Sequence, residues 1–153
     1  MTIRIVLVDD HPVVRHGVRG MLDAEPDLAV VGEADSGAAG VDLAAELEPD
    51  IVLMDLRMPG GDGVQATGQI LARLPRTRVI VLTTYETDRD ILRAIEAGAS
   101  GYLLKDASPA ELADAVRAAA RGETVLAPSV AATLVRRVRR PAPPALSTRE
   151  AQV

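Results

Sequence analysis

Five short apolar runs alternate with longer stretches of helical spacing over residues 1–121, and that alternation leaves few folds open. Ile3 to Val8 is rich in Ile and Val and broken only by Arg4, the pattern of a strand buried on both faces. Val14, Val18, Met21 and Leu22 then recur at helical spacing behind Pro12, a residue suited to a first helical turn. Leu28 to Val31, Ile51 to Met54, Val79 to Leu82 and Tyr102 to Leu104 read as four further strands. Among the helices between them, Ser36 caps one that carries Val41, Ala44, Ala45 and Leu47 and ends near Pro49. A Pro59-Gly60-Gly61-Asp62-Gly63 turn leads into another through Ile70, Leu71 and Leu74, and Asp88 to Ala97 forms a third, closed by Gly98. Ser108-Pro109-Ala110-Glu111 has the form of a capping box, and its helix carries Leu112, Val116 and Ala119 inward before stopping at Gly122. Right-handed crossovers between such units give a parallel sheet with helices on both faces, a doubly wound α/β sandwich.

The chain divides unevenly by charge. Residues 1–121 hold 12 basic and 20 acidic side chains, while residues 122–153 hold 5 and 2. An acidic globule with a basic tail suggests two parts. In the tail, Val130, Leu134, Val135 and Val138 fit one helical face that ends in Arg136-Arg137-Val138-Arg139-Arg140. Pro141-Ala142-Pro143-Pro144 must be extended, because prolines and the residues before them avoid helix. Ser147-Thr148-Arg149-Glu150 is a second capping box, opening a helix that the sequence leaves at Val153. The expected organisation is a domain over 1–121, a linker over 122–145 and the start of a second domain over 146–153.

Composition removes several classes of function. With 48% apolar and 25% charged residues the chain can bury a core, and no apolar run approaches the roughly 20 residues of a bilayer span. Acids stand directly behind the first apolar run, which marks a strand and not a signal peptide. The absence of cysteine excludes disulfides, thiolate metal sites and a cysteine nucleophile, and suits a reducing, cytoplasmic compartment. A net charge of −5 argues against the globule gripping nucleic acid, and with no Trp or Phe and only two Tyr, stacking on bases is not open to it.

In doubly wound folds, ligands bind at the carboxyl ends of the strands. Here those ends read Asp9-Asp10, Asp55, Thr83-Thr84 and Lys105, the last being the only lysine among 17 basic residues. Crowded carboxylates repel one another unless a cation sits among them, and a hard divalent ion such as Mg²⁺, for which Mn²⁺ can substitute, meets that need while keeping waters for a phosphate to displace. A lysine and hydroxyls suit a tetrahedral oxyanion, so the set implies phosphoryl transfer to a carboxylate. Each signal alone has a plainer reading. Asp9-Asp10 also makes a turn and helix cap, Asp55 a loop residue, Thr83 and Thr84 a strand end, and Lys105 a solvated charge. The weight comes from their falling on one sheet edge. His11 and His16 are five apart and read as polar surface residues, not paired ligands. The glycines at 60, 61 and 63 match no phosphate-cradling motif, and Ser36 and Ser129 have no histidine partner for hydrolase chemistry. The arginines at 136–140 read as a solvated linker face ahead of a phosphate-backbone contact.

Asp9-Asp10, Asp55-Leu-Arg-Met-Pro-Gly, Thr83-Thr84 and Gly101-Tyr-Leu-Leu-Lys105-Asp together resemble the receiver domain of bacterial two-component response regulators, over about residues 1–121. The wording VDDHPVVRHGV, LTTYETD and GYLLKDAS is similar to the NarL/FixJ subfamily, and Leu146 to Val153 resembles the opening of its LuxR-type helix-turn-helix. The resemblance implies a flavodoxin-like (CheY-like) fold of five parallel strands in the order 2-1-3-4-5. It implies Asp55 as phosphoacceptor from a sensor histidine kinase. Asp10, Asp55 and the backbone carbonyl of Arg57 become Mg²⁺ ligands, with Asp9 contributing. Thr83, with Thr84 beside it, and Lys105 become phosphoryl contacts, Tyr102 an aromatic switch, and Arg57 and Tyr85 modulators of phosphoryl lifetime. It further implies transcriptional control through an attached DNA-binding domain, with homodimerisation on phosphorylation. Asp106 stands where many receivers have proline, a departure shared with the LuxR-effector subgroup. Two other readings stay open: an unphosphorylated interaction module, and an aspartyl-phosphate phosphatase, against which Arg57 occupies the position of the usual second acid.

Overall fold

In the computed structural model the described residues are 2–58, 61–83, 88–126, 131–132 and 135. In chain order the elements are β1 (Ile3–Val8), α1 (Pro12–Asp23), β2 (Leu28–Ala34), α2 (Gly37–Leu47), β3 (Ile51–Met54), β4 (Arg57–Met58), β5 (Gly61–Asp62), α3 (Gly63–Arg73), β6 (Arg78–Thr83), α4 (Asp88–Glu96), β7 (Gly101–Leu104), α5 (Pro109–Ala120) and β8 (Val125–Leu126). The main sheet is parallel, in the order β2-β1-β3-β6-β7-β8. The α/β class and the order of the first five sheet strands follow the sequence expectation. The count does not: the sheet has six strands, and β8 lies within the stretch assigned to the linker. Its two residues are too few to show a periodicity. They reach the edge because the chain turns at Gly122, whose φ of +89° suits glycine, and Val125 N–H then bonds the Ser100 carbonyl at 2.9 Å.

A second difference lies between β3 and α3. The sequence reads there as a tight turn, and the structure forms β4 and β5 into a short antiparallel pair, Arg57 opposite Asp62 and Met58 opposite Gly61. The remaining boundaries shift by a few residues, β2 most, since it runs on through Gly32-Glu33-Ala34 beyond the apolar run. The expected linker helix and Pro-rich stretch fall mainly outside the described residues, as does 146–153 in full; positions 131, 132 and 135 are helical.

The period of two along the strands sorts the core into layers. Ile5, Leu7, Ile51, Leu53, Ile80, Leu82 and Leu103 bury against Val18 and Leu22 of α1 and Leu112, Val116 and Ala119 of α5. The alternate residues Val6, Val8, Val52, Met54 and Val79 bury against Val41 and Ala44 of α2 and Ala66 and Ile70 of α3. A third cluster joins Leu56, Val81 and Tyr102 to Ala94 of α4. Helix starts follow the sequence chemistry: Ser36 Oγ accepts from Ala39 N–H at 3.1 Å, and Ser108 and Glu111 complete a reciprocal capping box. Leu22 has no exposed surface, so Leu22→Ala should lower unfolding free energy by about 2–5 kcal/mol, read from the urea midpoint at unchanged slope.

Candidate functional site

Strand register builds the site. Val8 pairs with Met54 and Met54 with Val81, so β1 and β3 end level with each other, and the Asp55 N–H reaches the Val8 carbonyl at 2.9 Å. The residues that follow, Asp9 and Asp55, keep the alternation of Leu7 and Leu53 and stand side by side at the sheet edge. Lys105 follows β7 with the alternation of Leu103. Its ammonium spans the gap, 3.0 Å from Asp9 Oδ2 and 3.2 Å from Asp55 Oδ2. All three side chains are deeply enclosed, at 9% exposure for Lys105 and Asp9 and 4% for Asp55. Burial alone would push the lysine pKa down. The hydrogen bond it donates to Asp9 and the charges of Asp55 and Asp9 outweigh it and hold the ammonium above its ordinary value.

Asp10 completes an acidic cluster. One ligand-capable atom from each of Asp9, Asp10, His11 and Asp55 lies within 4.8 Å of the others. Asp10 Oδ1 is buried without a hydrogen-bond donor; His11 Nδ1 is 3.0 Å away but lacks hydrogen-bonding geometry. A buried carboxylate oxygen among other carboxylates, with no donor of its own, fits a hard divalent cation held by oxygen. His11 is the residue the sequence reading passed over. Its N–H bonds Asp9 Oδ1 at 2.8 Å and its ring returns to 3.3 Å from the same oxygen, an Asx-type turn that helical spacing does not reveal. The Asp-His-Pro order just ahead of a helix was the available signal.

Gly63 is a second addition. A Cβ there would lie 2.2 Å from the Asp55 carbonyl oxygen and 2.7 Å from Leu56 Cα, so α3 begins pressed against the backbone of the central acid. Only glycine permits that approach. The other expected positions divide. Thr83 closes β6, opposite Leu104 on β7. Arg57 lies in β4, two residues past Asp55, with its backbone in the hairpin. Tyr102 is fully buried in the cluster with Leu56, Val81 and Ala94, and Leu126 of β8 packs on it. Thr84 and Tyr85 lie outside the described residues.

Comparison with known proteins places this geometry. The response regulator receiver domain family matches residues 5–117. The transcriptional regulatory protein LiaR of Bacillus subtilis is 50% identical over 137 residues, covering 90% of this chain and 65% of LiaR. The response regulator protein VraR of Staphylococcus aureus is 44% identical over 140 residues, covering 92% of this chain and 67% of VraR. The chain thus spans about two thirds of the length of these relatives. A crystal structure of a LuxR-family two-component response regulator from Aurantimonas sp. SI85-9A1 superposes with a TM-score of 0.86 at 39% identity, over 92% of this chain and all of that one.

Because Lys105 is the only lysine, its side-chain amine gives one resolvable NMR titration. In cation-free solution the midpoint should lie above that of a solvated lysine, and Asp9→Asn should lower it. The ion pairs therefore stabilise the fold fully below the ordinary lysine pKa and are lost as pH rises through the raised one. Gly63→Ala should cost about 1–3 kcal/mol in urea unfolding, because backbone and not a pliant side chain must give way.

Proposed function

The chain belongs to the response regulator receiver family, and we propose that Asp55 is its phosphoacceptor, charged by a sensor histidine kinase in a Mg²⁺-dependent step. A carboxylate oxygen of Asp55 attacks the phosphorus of a phosphohistidine; the O–P bond forms as the P–N bond breaks, and the imidazole leaves with the electron pair. The observation that carries this reading is the enclosed Asp9–Lys105–Asp55 bridge beside an orphaned Asp10 oxygen. Asp9, Asp10, Asp55 and the backbone carbonyl of Arg57 would hold the ion, whose charge when bound offsets that of the phosphoryl oxygens.

Each remaining residue acts by a stated chemistry. Lys105 exchanges one of its two carboxylate partners for a phosphoryl oxygen, so the enclosed ammonium stays ion-paired throughout. Thr83, the last residue of β6, and Thr84, next to it in the sequence, supply hydroxyl donors. Their movement toward the phosphoryl group shifts Tyr102 between two packings, a local charge event read out through the core. Arg57 and Tyr85, two positions beyond Asp55 and Thr83 in the sequence, modulate how long the phosphoryl group survives.

Downstream, the receiver controls an attached LuxR-type DNA-binding domain that opens at residues 146–153. Contact with DNA runs through that domain, and phosphorylated chains pair as homodimers. The similarity to the transcriptional regulatory protein LiaR, to the response regulator VraR and to the LuxR-family regulator of Aurantimonas supports this part. Incubation with acetyl phosphate and Mg²⁺ should add the mass of one phosphoryl group, and Asp55→Asn should abolish it. Labelling that survives in Asp55→Asn would reject the acceptor, and sustained turnover of a phosphoester would favour a phosphatase instead.

A further inference from the structure

Arg15 of α1 stands behind the acidic cluster and plays no part in the chemistry above. Its Nη1 donates to the backbone carbonyl of Asp9 at 2.6 Å, and its Nε donates to Glu33 Oε1 on β2 at 2.9 Å. The other oxygen of Glu33 accepts from Arg19 one helical turn further along α1, and Arg19 Nε reaches Asp23 Oδ2 at 3.3 Å. Glu33 is held as a carboxylate, its pKa lowered chiefly by Arg19 and further by Arg15, against the opposing effect of burial. The Arg15 side chain is 20% exposed and lines, with Asp9 and Asp55, a cavity of about 10 Å³ beneath the site.

The choice of acceptor is informative. A guanidinium that reaches the Asp9 main chain and shares a cavity lining with Asp9 and Asp55 has carboxylates to pair with, as Lys105 pairs with these two. Arg15 instead donates to the Asp9 main chain and to Glu33. It thereby fixes the turn from β1 into α1, on which both Asp9 and Asp10 are mounted, without occupying a carboxylate oxygen of either. Glu33 anchors the fork from the neighbouring strand, so its aim does not depend on a cation arriving.

Resting on the metal-dependent reading above, we propose that Arg15, anchored by Glu33, is a positioning residue that presets the Asp9–Asp10 turn for the divalent cation. Charge and position predict opposite signs. A nearby positive charge repels Mg²⁺, so as mere electrostatics Arg15→Met would tighten binding. As loss of a positioning contact it should weaken binding, by about tenfold. Arg15→Lys, which keeps the charge but loses the two-pronged fork, should weaken it too.

The test is isothermal titration calorimetry of the full 153-residue chain with MgCl₂ alone. It is joined to the Mg²⁺ concentration for half-maximal labelling by acetyl phosphate. Both variants should bind Mg²⁺ more weakly, and labelling at saturating Mg²⁺ should return close to the unsubstituted rate. Arg15→Lys, which leaves the local charge unchanged, decides the question alone if Arg15→Met does not fold. Unchanged or tighter Mg²⁺ binding in folded variants overturns the proposal, as does an unsubstituted chain that binds no Mg²⁺. A chain that binds Mg²⁺ but takes no phosphoryl group on Asp55 removes the phosphoacceptor and leaves the arginine result standing.

Discussion

The structure turns on an imbalance of buried charge. Asp9, Asp10 and Asp55 converge at one sheet edge, where the Lys105 ammonium meets Asp9 and Asp55 and the half-solvated ring of His11 lies against Asp9 and Asp10. Carboxylates brought out of water cost free energy unless each finds a counter-charge or donors, and one ammonium does not cover three. The pocket is therefore built with a deficit of positive charge. The Asp10 oxygen that accepts no hydrogen bond is where that deficit surfaces. A site of this kind gives up stability to remain receptive, which is the ordinary relation between binding chemistry and fold.

What makes the imbalance tolerable is the rigidity of its support. The acids leave β1 and β3 at the same level because four successive residue pairs, Ile5 with Ile51 through Val8 with Met54, hold the two strands in register. Each of these residues is buried on its own face of the sheet, so a slip by one position would turn an apolar set toward the wrong layer. Gly63 closes the arrangement from the α3 side by bringing a helix start against the Asp55 main chain. Placement of the charges is thus a product of packing and does not rely on the charges themselves.

Much of this was legible in the residues. Apolar runs mark each of the longer strands, and the residues that follow three of them are Asp9, Asp55 and Lys105. Capping at Ser36 and Ser108 was equally plain, since a local hydrogen bond leaves a local signature. Three things were hidden for distinct reasons. The strand at Val125–Leu126 is held by long-range pairing and carries no pattern of its own. The ring of His11 returns to the acids through a turn, where a helical-spacing argument does not apply. Gly63 looked like turn chemistry because the backbone it touches lies seven and eight residues away, just past the end of β3.

The sixth strand also fixes the route by which the polypeptide departs. Leu126 sits beside Tyr102 in the ladder and in the same apolar cluster, and the absent side chain of Gly101 lets the Val125 carbonyl settle close. A rim of two residues is the least costly part of such a sheet to unfasten, as local opening energies scale with the contacts undone. The last strand of the sheet is thereby latched to an aromatic ring. Any rearrangement that displaces that ring would unfasten Val125 and Leu126 from the rim, converting a sub-nanometre repacking into the release of an edge strand.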